Sequence, residues 1–196
     1  MLLSELARPT RHELIGRDVE VKELIYNSRK VKNGDVFCCI VGTFADGHKY
    51  AQQAVDAGAA ALVVERKLDI DVPQILVEDT RIAMAEMAAA YYGYPSREMQ
   101  MIGVTGTNGK TSTTYMLKAI AERMGKKVGL IGTIRNMIGD IIIDTERTTP
   151  ESVDLQRILR QMKDEKVDVV IMEVSSHSLD QKRVHGIEYL SLIHIS

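Results

Sequence analysis

The segment at residues 104–112, V-T-G-T-N-G-K-T-S, constrains the fold of this chain more than any other stretch. An apolar run precedes it at residues 101–104, and residues 113–124 follow it with helical spacing. Gly106 and Gly109 let the backbone approach an anion closely, and the start of the following helix directs unpaired N–H groups and a positive dipole end at the same place. The order strand, loop, helix therefore predicts a phosphate-binding loop.

This loop has predicted roles in holding a nucleotide and its metal ion. Lys110 would reach the β- and γ-phosphates, and the Thr111 hydroxyl would hold Mg²⁺. One position departs from the usual pattern, because Val104 stands where the first glycine is normally found. A chance occurrence of G-K-T is the alternative, but it does not explain the flanking strand and helix. The residues predicted to bind the nucleotide are Gly106, Thr107, Asn108, Gly109, Lys110, Thr111 and Ser112.

A carboxylate, Glu173, ends the run of four apolar residues at 169–172. Because the carboxyl ends of parallel strands meet at one edge of a sheet, Glu173 is predicted to lie beside the phosphate loop. There it would bind Mg²⁺ together with Thr111, and Lys110 and Glu173 would be the catalytic residues. An acidic strand end that faces only solvent is the alternative interpretation.

The segment that follows, residues 174–183, collects hydroxyls, an imidazole, an amide and two cations at the same sheet edge. A Ser-His-Asp hydrolase is conceivable here. However, the chain has no G-x-S-x-G elbow, and a nucleotide and metal site already accounts for the cluster.

The periodicity of apolar residues predicts an α/β protein of two domains. Buried strands are predicted at residues 36–41, 60–64, 74–77, 101–104, 128–132, 141–143 and 168–173. Helices are predicted at residues 50–57, 80–92, 113–124 and 150–166. The polar stretch at residues 94–98 predicts the boundary between a small α/β domain (residues 1–96) and the first part of a phosphate-loop parallel-sheet ATPase domain (residues 97–196).

Several side chains have a predicted environment. Thr149 is expected to cap the helix at residues 150–166, Ser28 to cap a turn or contact a ligand, and His48 to lie in a surface loop. Cys38 and Cys39 are expected to be buried thiols. The face of the third helix expected to pack on the sheet consists of Met116, Leu117, Ile120, Ala121 and Met124.

Composition and charge narrow the class of ligand and the location. A net charge of −2 without a Lys/Arg block argues against nucleic acid as a partner. No apolar stretch approaches the roughly 20 residues of a spanning helix, so we expect no signal peptide and no membrane contact. The sequence is therefore expected to belong to a cytoplasmic protein, and we expect a monomer.

With these motifs identified, the sequence resembles the Mur ligases of peptidoglycan synthesis over nearly the whole chain. The phosphate loop, T-G-T-N-G-K-T, is shared by the wider superfamily, which includes folylpolyglutamate synthetase. The stretch M-E-V-S-S-H-S-L at residues 172–179 is more specific and looks like that of the Mur ligases that produce the muramoyl tripeptide. N-S-R at residues 27–29, N-G-D-V-F at residues 33–37 and D-G-H at residues 46–48 look like elements of the family's uridine-binding domain.

The resemblance implies an ATP- and Mg²⁺-dependent ligase. It would join a diamino acid, lysine or meso-diaminopimelate, to the D-glutamate of UDP-N-acetylmuramoyl-L-alanyl-D-glutamate through an acyl phosphate.

The resemblance also favours substrate contacts over capping for Ser28 and Thr149. Arg147 departs from the family, which often has Asn there. By position, the implied substrate-binding residues are Ser28 at the uridine end and Thr148, Thr149, Ser175, Gln181 and Arg183 nearer the reacting end.

The resemblance ends after Tyr189, and the tail at residues 190–196 is unlike the family. Because family members are much longer, the chain is interpreted as an N-terminal fragment that lacks the amino-acid-binding domain and is inactive alone. Its sheet would end after residues 169–174 and leave an exposed apolar edge. The alternatives are another ligase of the superfamily or a nucleotide-binding regulatory module without ligase activity.

Overall fold

The computed structural model describes residues 1–42, 45–143 and 147–195 of the chain. The chain divides into two compact units, Met1–Tyr91 and Tyr92–Ser196. Each unit combines helices with a mainly parallel sheet, which confirms the predicted α/β class. Within the described ranges, no helix has both the length and the apolar character needed to cross a membrane.

The first unit is built on a five-stranded sheet with the order β1-β5-β4-β3-β2, in which only β1 runs antiparallel. Its strands are β1 (Glu13–Ile15), β2 (Leu24–Ile25), β3 (Val36–Cys38), β4 (Ala61–Val64) and β5 (Gln74–Leu76). Its helices are α1 (Leu3–Ala7), α2 (Ala51–Asp56) and α3 (Thr80–Tyr91), with 3-10 turns at Ser28–Lys30 and Gly47–Tyr50.

The predictions for this unit hold for β4, β5, α2 and α3. The Asp79 carboxylate caps α3 by accepting hydrogen bonds from the N–H groups of Arg81 at 2.7 Å and Ile82 at 3.0 Å. The strand predicted at residues 36–41 is too long, because β3 ends at Cys38 and Val41 is exposed. The elements α1, β1 and β2 were not predicted, since each is too short to show a periodic pattern.

The second unit contains a six-stranded sheet with the order β11-β6-β10-β7-β8-β9. Its strands are β6 (Gln100–Gly106), β7 (Val128–Ile131), β8 (Asn136–Ile138), β9 (Ile141–Ile143), β10 (Val169–Glu173) and β11 (Ser191–Ile195). The strands β11, β6, β10 and β7 are parallel, whereas β8 and β9 form a hairpin that turns at Gly139. Its helices are α4 (Lys110–Arg123), α5 (Ser152–Asp164) and α6 (Ser176–Asp180), and a 3-10 turn spans Pro95–Glu98.

Strand β10 separates two apolar layers, because its side chains alternate between the faces of the sheet. Val170 and Met172 join the cluster that includes Leu159 of α5. Val169 and Ile171 join the opposite cluster, against which α4 packs Tyr115, Leu117 and Ala121. Helices therefore cover both faces of the second sheet, as expected for an open parallel sheet.

The orientation predicted for α4 is wrong in part. Met116, Ile120 and Met124 are 65%, 57% and 72% exposed, whereas Thr114 is fully buried. The apolar residues of this helix form two neighbouring stripes, and the sheet covers only the stripe that contains Leu117 and Ala121.

The sheet does not end after residues 169–174, so the exposed edge expected there is a wrong prediction. Strand β10 lies between β6 and β7, and β11 pairs in parallel with the free side of β6. The register places Ser191 opposite Ile102 and Ile195 opposite Gly106. The tail thus forms the edge strand.

Candidate functional site

The phosphate loop lies between β6 and α4, as predicted. Strand β6 ends at Gly106, and α4 begins at Lys110 with Gly109 at its N-cap. Gly106 and Gly109 have φ values of 147° and 79°, which side-chain-bearing residues rarely adopt. Thr107 and Asn108 are exposed. The loop is therefore open to solvent at the start of a 14-residue helix, where backbone N–H groups and the helix dipole favour an anion.

The Lys110 ammonium lies over this loop. Its Nζ donates hydrogen bonds to the carbonyl oxygens of Gly106 at 2.7 Å and Thr107 at 3.4 Å. These contacts place a positive charge beside the loop backbone, where a phosphate would lie.

Glu173 lies beside the loop because β10 pairs with β6. The register sets Glu173 opposite Val104, and the Thr111 hydroxyl donates a hydrogen bond to Glu173 Oε1 at 3.0 Å. The side chains of Thr111 and Glu173 thus meet although 62 positions separate them in the sequence. Glu173 is only 1% exposed, so the alternative of a solvated strand end is wrong.

Thr133 is a site residue that the sequence analysis missed. Its N–H donates to Glu173 Oε1 at 3.0 Å, and its hydroxyl donates to Glu173 Oε2 at 2.9 Å. The same hydroxyl lies 3.1 Å from Thr148 Oγ1. One signal could have identified it, since Thr133 follows the predicted strand at residues 128–132 and parallel strands end at the same edge.

The donor set at this edge fits a hard cation such as Mg²⁺. Thr111 and Glu173 present a hydroxyl oxygen and a carboxylate oxygen, which are ligand types that Mg²⁺ prefers. Among the described residues, no group of three or more His, Cys, Asp or Glu side chains could hold a metal. Mg²⁺ would therefore complete its coordination with nucleotide phosphates and water, as it does at many phosphate sites.

Thr149 is not the helix cap that the sequence analysis predicted. Helix α5 begins at Ser152, with Glu151 at its N-cap. The Thr149 side chain is buried, and its hydroxyl donates to the Glu173 carbonyl at 2.9 Å and accepts from the Ser175 N–H at 3.2 Å. Thr149 therefore joins the segment before α5 to the end of β10.

Ser175 caps α6, because its hydroxyl accepts a hydrogen bond from the Ser178 N–H at 3.1 Å. The hydrolase alternative requires His177 to pair with a serine or an aspartate. In the part of the chain that the structure describes, its imidazole makes no such hydrogen bond, and this geometry gives the alternative no support.

Two arginines meet at the carboxylate of Glu151, which is 4% exposed. Arg147 Nη1 lies 2.5 Å and Arg183 Nε 3.1 Å from the same Glu151 oxygen. Arg183 also donates to the Thr149 carbonyl at 3.2 Å and to Gln181 Oε1 at 2.5 Å. These contacts connect Gln181 and Arg183 with Thr149, and through Thr149 with Ser175 and Glu173.

Ser28, the remaining predicted substrate residue, belongs to the first unit. It is partly exposed, and its hydroxyl donates to Gln53 Oε1 at 3.3 Å. Asn27 caps the 3-10 turn instead, because its side chain accepts from the Arg29 N–H at 3.1 Å. The capping interpretation of Ser28 is therefore wrong.

His48 is buried, not exposed in a loop as predicted. Its Nε2 accepts from the Glu65 N–H at 2.9 Å, so Nδ1 carries the proton and donates to Asp46 Oδ1 at 2.6 Å. Burial raises the pKa of Asp46, but hydrogen bonds from Arg66 and His48 outweigh burial and hold the pKa well below its ordinary value. The D-G-H motif thus supports the structure of the first unit.

Taken together, the parallel sheet, the glycine-bearing loop before α4 and the neighbouring carboxylate define an α/β protein whose second unit has the geometry of a phosphate-loop domain. Comparison with known proteins gives the family. Residues 104–193 match the Mur ligase middle domain, and residues 20–92 match the family described as Mur ligase family, catalytic domain. The chain belongs to the Mur ligase family.

Two similar proteins are both named UDP-N-acetylmuramoyl-L-alanyl-D-glutamate–2,6-diaminopimelate ligase. The relative from Clostridium botulinum is 52% identical over 179 residues, which cover 89% of this chain and 37% of the relative. The relative from Bacillus velezensis is 46% identical over 184 residues, which cover 94% and 37%. The chain thus spans about 37% of the length of these relatives.

Solved structures show the same fold. A structure of UDP-N-acetylmuramoyl-L-alanyl-D-glutamate–2,6-diaminopimelate ligase matches with a TM-score of 0.76 and 25% identity over 89% of this chain and 36% of that one. The MurF ligase from Thermotoga maritima in complex with ADP matches with a TM-score of 0.57 and 22% identity over 90% and 38% of the two chains.

Proposed function

We propose that this chain carries the nucleotide-binding and acceptor-binding parts of an ATP-dependent ligase of peptidoglycan synthesis. The acceptor is UDP-N-acetylmuramoyl-L-alanyl-D-glutamate, and the amino acid added is 2,6-diaminopimelate, in agreement with the names of the relatives. One observation carries the proposal. The carboxylate of Glu173 lies 3.0 Å from the Thr111 hydroxyl, directly beside the phosphate loop.

ATP is proposed to bind at this loop. The backbone of residues 106–109 and the first turn of α4 would surround the phosphates, and Lys110 would turn from the Gly106 carbonyl toward them. Thr111 and Glu173 would hold Mg²⁺. The bound metal supplies charge neutralisation for the phosphoryl group that is transferred.

The muramoyl peptide is proposed to bind along the same edge of the second sheet. Thr148 lies next to Thr133, and Gln181 holds Arg183 from one side. Arg183 would attract the carboxylates of the acceptor, while Thr149 and Ser175 shape the backbone around it. Ser28 of the first unit is proposed to contact the uridine end.

The proposed reaction has two steps. The glutamate side-chain carboxylate attacks the γ-phosphorus of ATP, and ADP leaves. The amine of the diamino acid then attacks the acyl phosphate, and phosphate leaves. We assign this activity to a protein of the relatives' full length, because positioning the amine requires parts that the relatives have beyond the matched region. We propose that this protein is a cytoplasmic monomer. We expect the present chain to bind both ligands without joining the amino acid.

Isothermal titration of the purified chain tests the proposal. UDP-N-acetylmuramoyl-L-alanyl-D-glutamate should bind more tightly than UDP-N-acetylglucosamine, and ATP should bind in the presence of Mg²⁺. Lys110→Ala should weaken ATP binding about tenfold, because the ammonium no longer faces the phosphates. Lys126→Ala, which removes an exposed lysine outside the loop, should leave ATP affinity unchanged.

Two results would contradict the proposal. Equal ATP affinity of the Lys110→Ala and Lys126→Ala variants would show that the loop does not hold the phosphates. Binding of ATP without any preference for the muramoyl dipeptide would favour a regulatory nucleotide-binding module over a ligase.

A further inference from the structure

Thr133 contacts the carboxylate at the centre of the candidate site through two separate groups. Its N–H donates to Glu173 Oε1 at 3.0 Å and its hydroxyl to Oε2 at 2.9 Å. Thr111 contacts Oε1 alone. Among the residues that the structure describes, only Thr133 contacts both oxygens, and a carboxylate held at both oxygens cannot rotate about its terminal bond without losing a hydrogen bond.

The direction of the hydroxyl proton follows from the strength of the acceptors. The Thr133 hydroxyl has a single proton and two neighbours, Glu173 Oε2 at 2.9 Å and Thr148 Oγ1 at 3.1 Å. A carboxylate accepts a hydrogen bond more strongly than a hydroxyl does. Thr133 therefore directs its single hydroxyl proton to Glu173, which leaves its oxygen to accept from the Thr148 hydroxyl.

The backbone before Thr133 permits this close approach. A Cβ at Gly132 would lie 2.4 Å from Glu173 Oε1, which is far inside contact distance. Thr133 itself is exposed, so core packing does not account for the direction of its side chain. The turn formed by Gly132 and Thr133 is thus shaped around the Glu173 carboxylate.

We propose that Thr133 is a positioning residue that orients the Glu173 carboxylate toward the Mg²⁺ of a bound nucleotide. This inference rests on the proposed function, which assigns Mg²⁺ to Thr111 and Glu173. Removing a residue that hydrogen-bonds to a metal ligand commonly weakens metal binding by an order of magnitude or more.

The test measures how ADP binding depends on Mg²⁺, using a fluorescent ADP analogue and the whole 196-residue chain. Thr133→Val removes the hydroxyl at nearly constant size. Half-maximal Mg²⁺ enhancement of binding should then require about tenfold more Mg²⁺. Affinity in EDTA should not change. Thr133→Ser restores the hydroxyl and should behave like the wild type. Ile134→Val alters the neighbouring exposed side chain and is the matched control.

A merely structural role for Thr133 predicts a different pattern, in which Thr133→Val lowers the midpoint of thermal unfolding and weakens ADP binding equally with and without Mg²⁺. If valine prevents folding, Thr133→Ala replaces it in the same comparison. The proposal is overturned if the Mg²⁺ requirement of Thr133→Val equals that of the wild type, or if Thr133→Ser loses as much as Thr133→Val. If ADP binding to the wild type does not depend on Mg²⁺, the assignment of Mg²⁺ to Thr111 and Glu173 is wrong as well. The wild-type measurement therefore distinguishes failure of the proposed function from failure of the Thr133 proposal alone.

Discussion

Replacing Gly132 with alanine should damage the proposed Mg²⁺ site through a single added methyl group. The new Cβ would lie 2.4 Å from Glu173 Oε1, so the carboxylate would have to move by roughly 1 Å to reach ordinary contact distance. The φ angle of Gly132 lies outside the left-handed region, and alanine is therefore not excluded by backbone conformation. The destabilisation should therefore come from the displaced carboxylate.

The magnitude follows from the hydrogen bonds that the displaced oxygen would lose. Oε1 accepts from the Thr111 hydroxyl and from the Thr133 N–H, each at 3.0 Å. A hydrogen bond to a charged group contributes about 1.5–3 kcal/mol, and the lower unfolded-state entropy of alanine returns about 0.5 kcal/mol. If the movement lengthens both bonds and costs the equivalent of one of them, the net loss is about 2 kcal/mol, which lowers the unfolding midpoint of the second unit (Tyr92–Ser196) by roughly 9 °C.

Circular dichroism melts and ADP titrations in Mg²⁺ and in EDTA measure both consequences of Gly132→Ala. The melting midpoint should fall, and the Mg²⁺-dependent part of ADP affinity should drop about tenfold, while affinity in EDTA stays the same. A variant with an unchanged midpoint and an unchanged response to Mg²⁺ would refute the argument, because it would show that Glu173 is not held in place by these contacts.

Three further predictions test the structure away from the proposed Mg²⁺ site. In urea denaturation, Leu159→Ala should lower the free energy of unfolding of the second unit by about 3 kcal/mol, since Leu159 is fully buried. Met116→Ala should change it by less than about 0.5 kcal/mol, since Met116 is 65% exposed. Equal effects of the two variants would contradict the outward orientation of Met116 on α4. The depressed pKa of Asp46 means that its contribution to stability is fully present above the ordinary pKa near 4 and is lost as pH falls through the lower folded-state value. Asp46→Asn should therefore lower the melting midpoint of the first unit at pH 7, and this midpoint should then fall less steeply with decreasing pH than that of the wild type. The same pH dependence in the variant and the wild type would contradict this role of Asp46. Burial raises the pKa of the Cys38 thiol well above its ordinary value and that of the Cys39 thiol to about 12. Iodoacetamide at pH 8 should therefore label neither cysteine in the native chain and both cysteines in denaturant. Mass spectrometry of the labelled chain measures this difference.

The phosphate loop was predictable because its determinants are local. A strand, two glycines, G-K-T and a helix follow each other within a short stretch, and the backbone conformation that they require depends little on the rest of the fold. The position of Glu173 was predictable for a different reason, since a parallel sheet brings the carboxyl ends of its strands to one edge.

Thr149 and His48 show where local reasoning fails. The sequence T-T-P-E-S has the composition of a helix start, but the Thr149 hydroxyl bonds to the end of β10 and the helix begins only at Ser152. His48 lies in a polar stretch that suggests a surface loop, yet the Glu65 N–H and the Asp46 carboxylate satisfy both of its ring nitrogens in a buried position. In both cases a partner remote in sequence, Glu173 or Glu65, decides the environment of the residue.

The sequence by itself determined the α/β class, the glycine-bearing loop between β6 and α4, and the proximity of Thr111 to the Glu173 carboxylate, because short-range pattern and the rule for parallel strands are sufficient for these. Only the tertiary structure decided that Thr133 holds Glu173 and that Met116 faces outward. Those features depend on which turn lies next to the end of β10 and on which stripe of α4 the sheet covers. Strand order and helix rotation are set by the packing of the whole sheet, so a periodic pattern within one segment does not contain them.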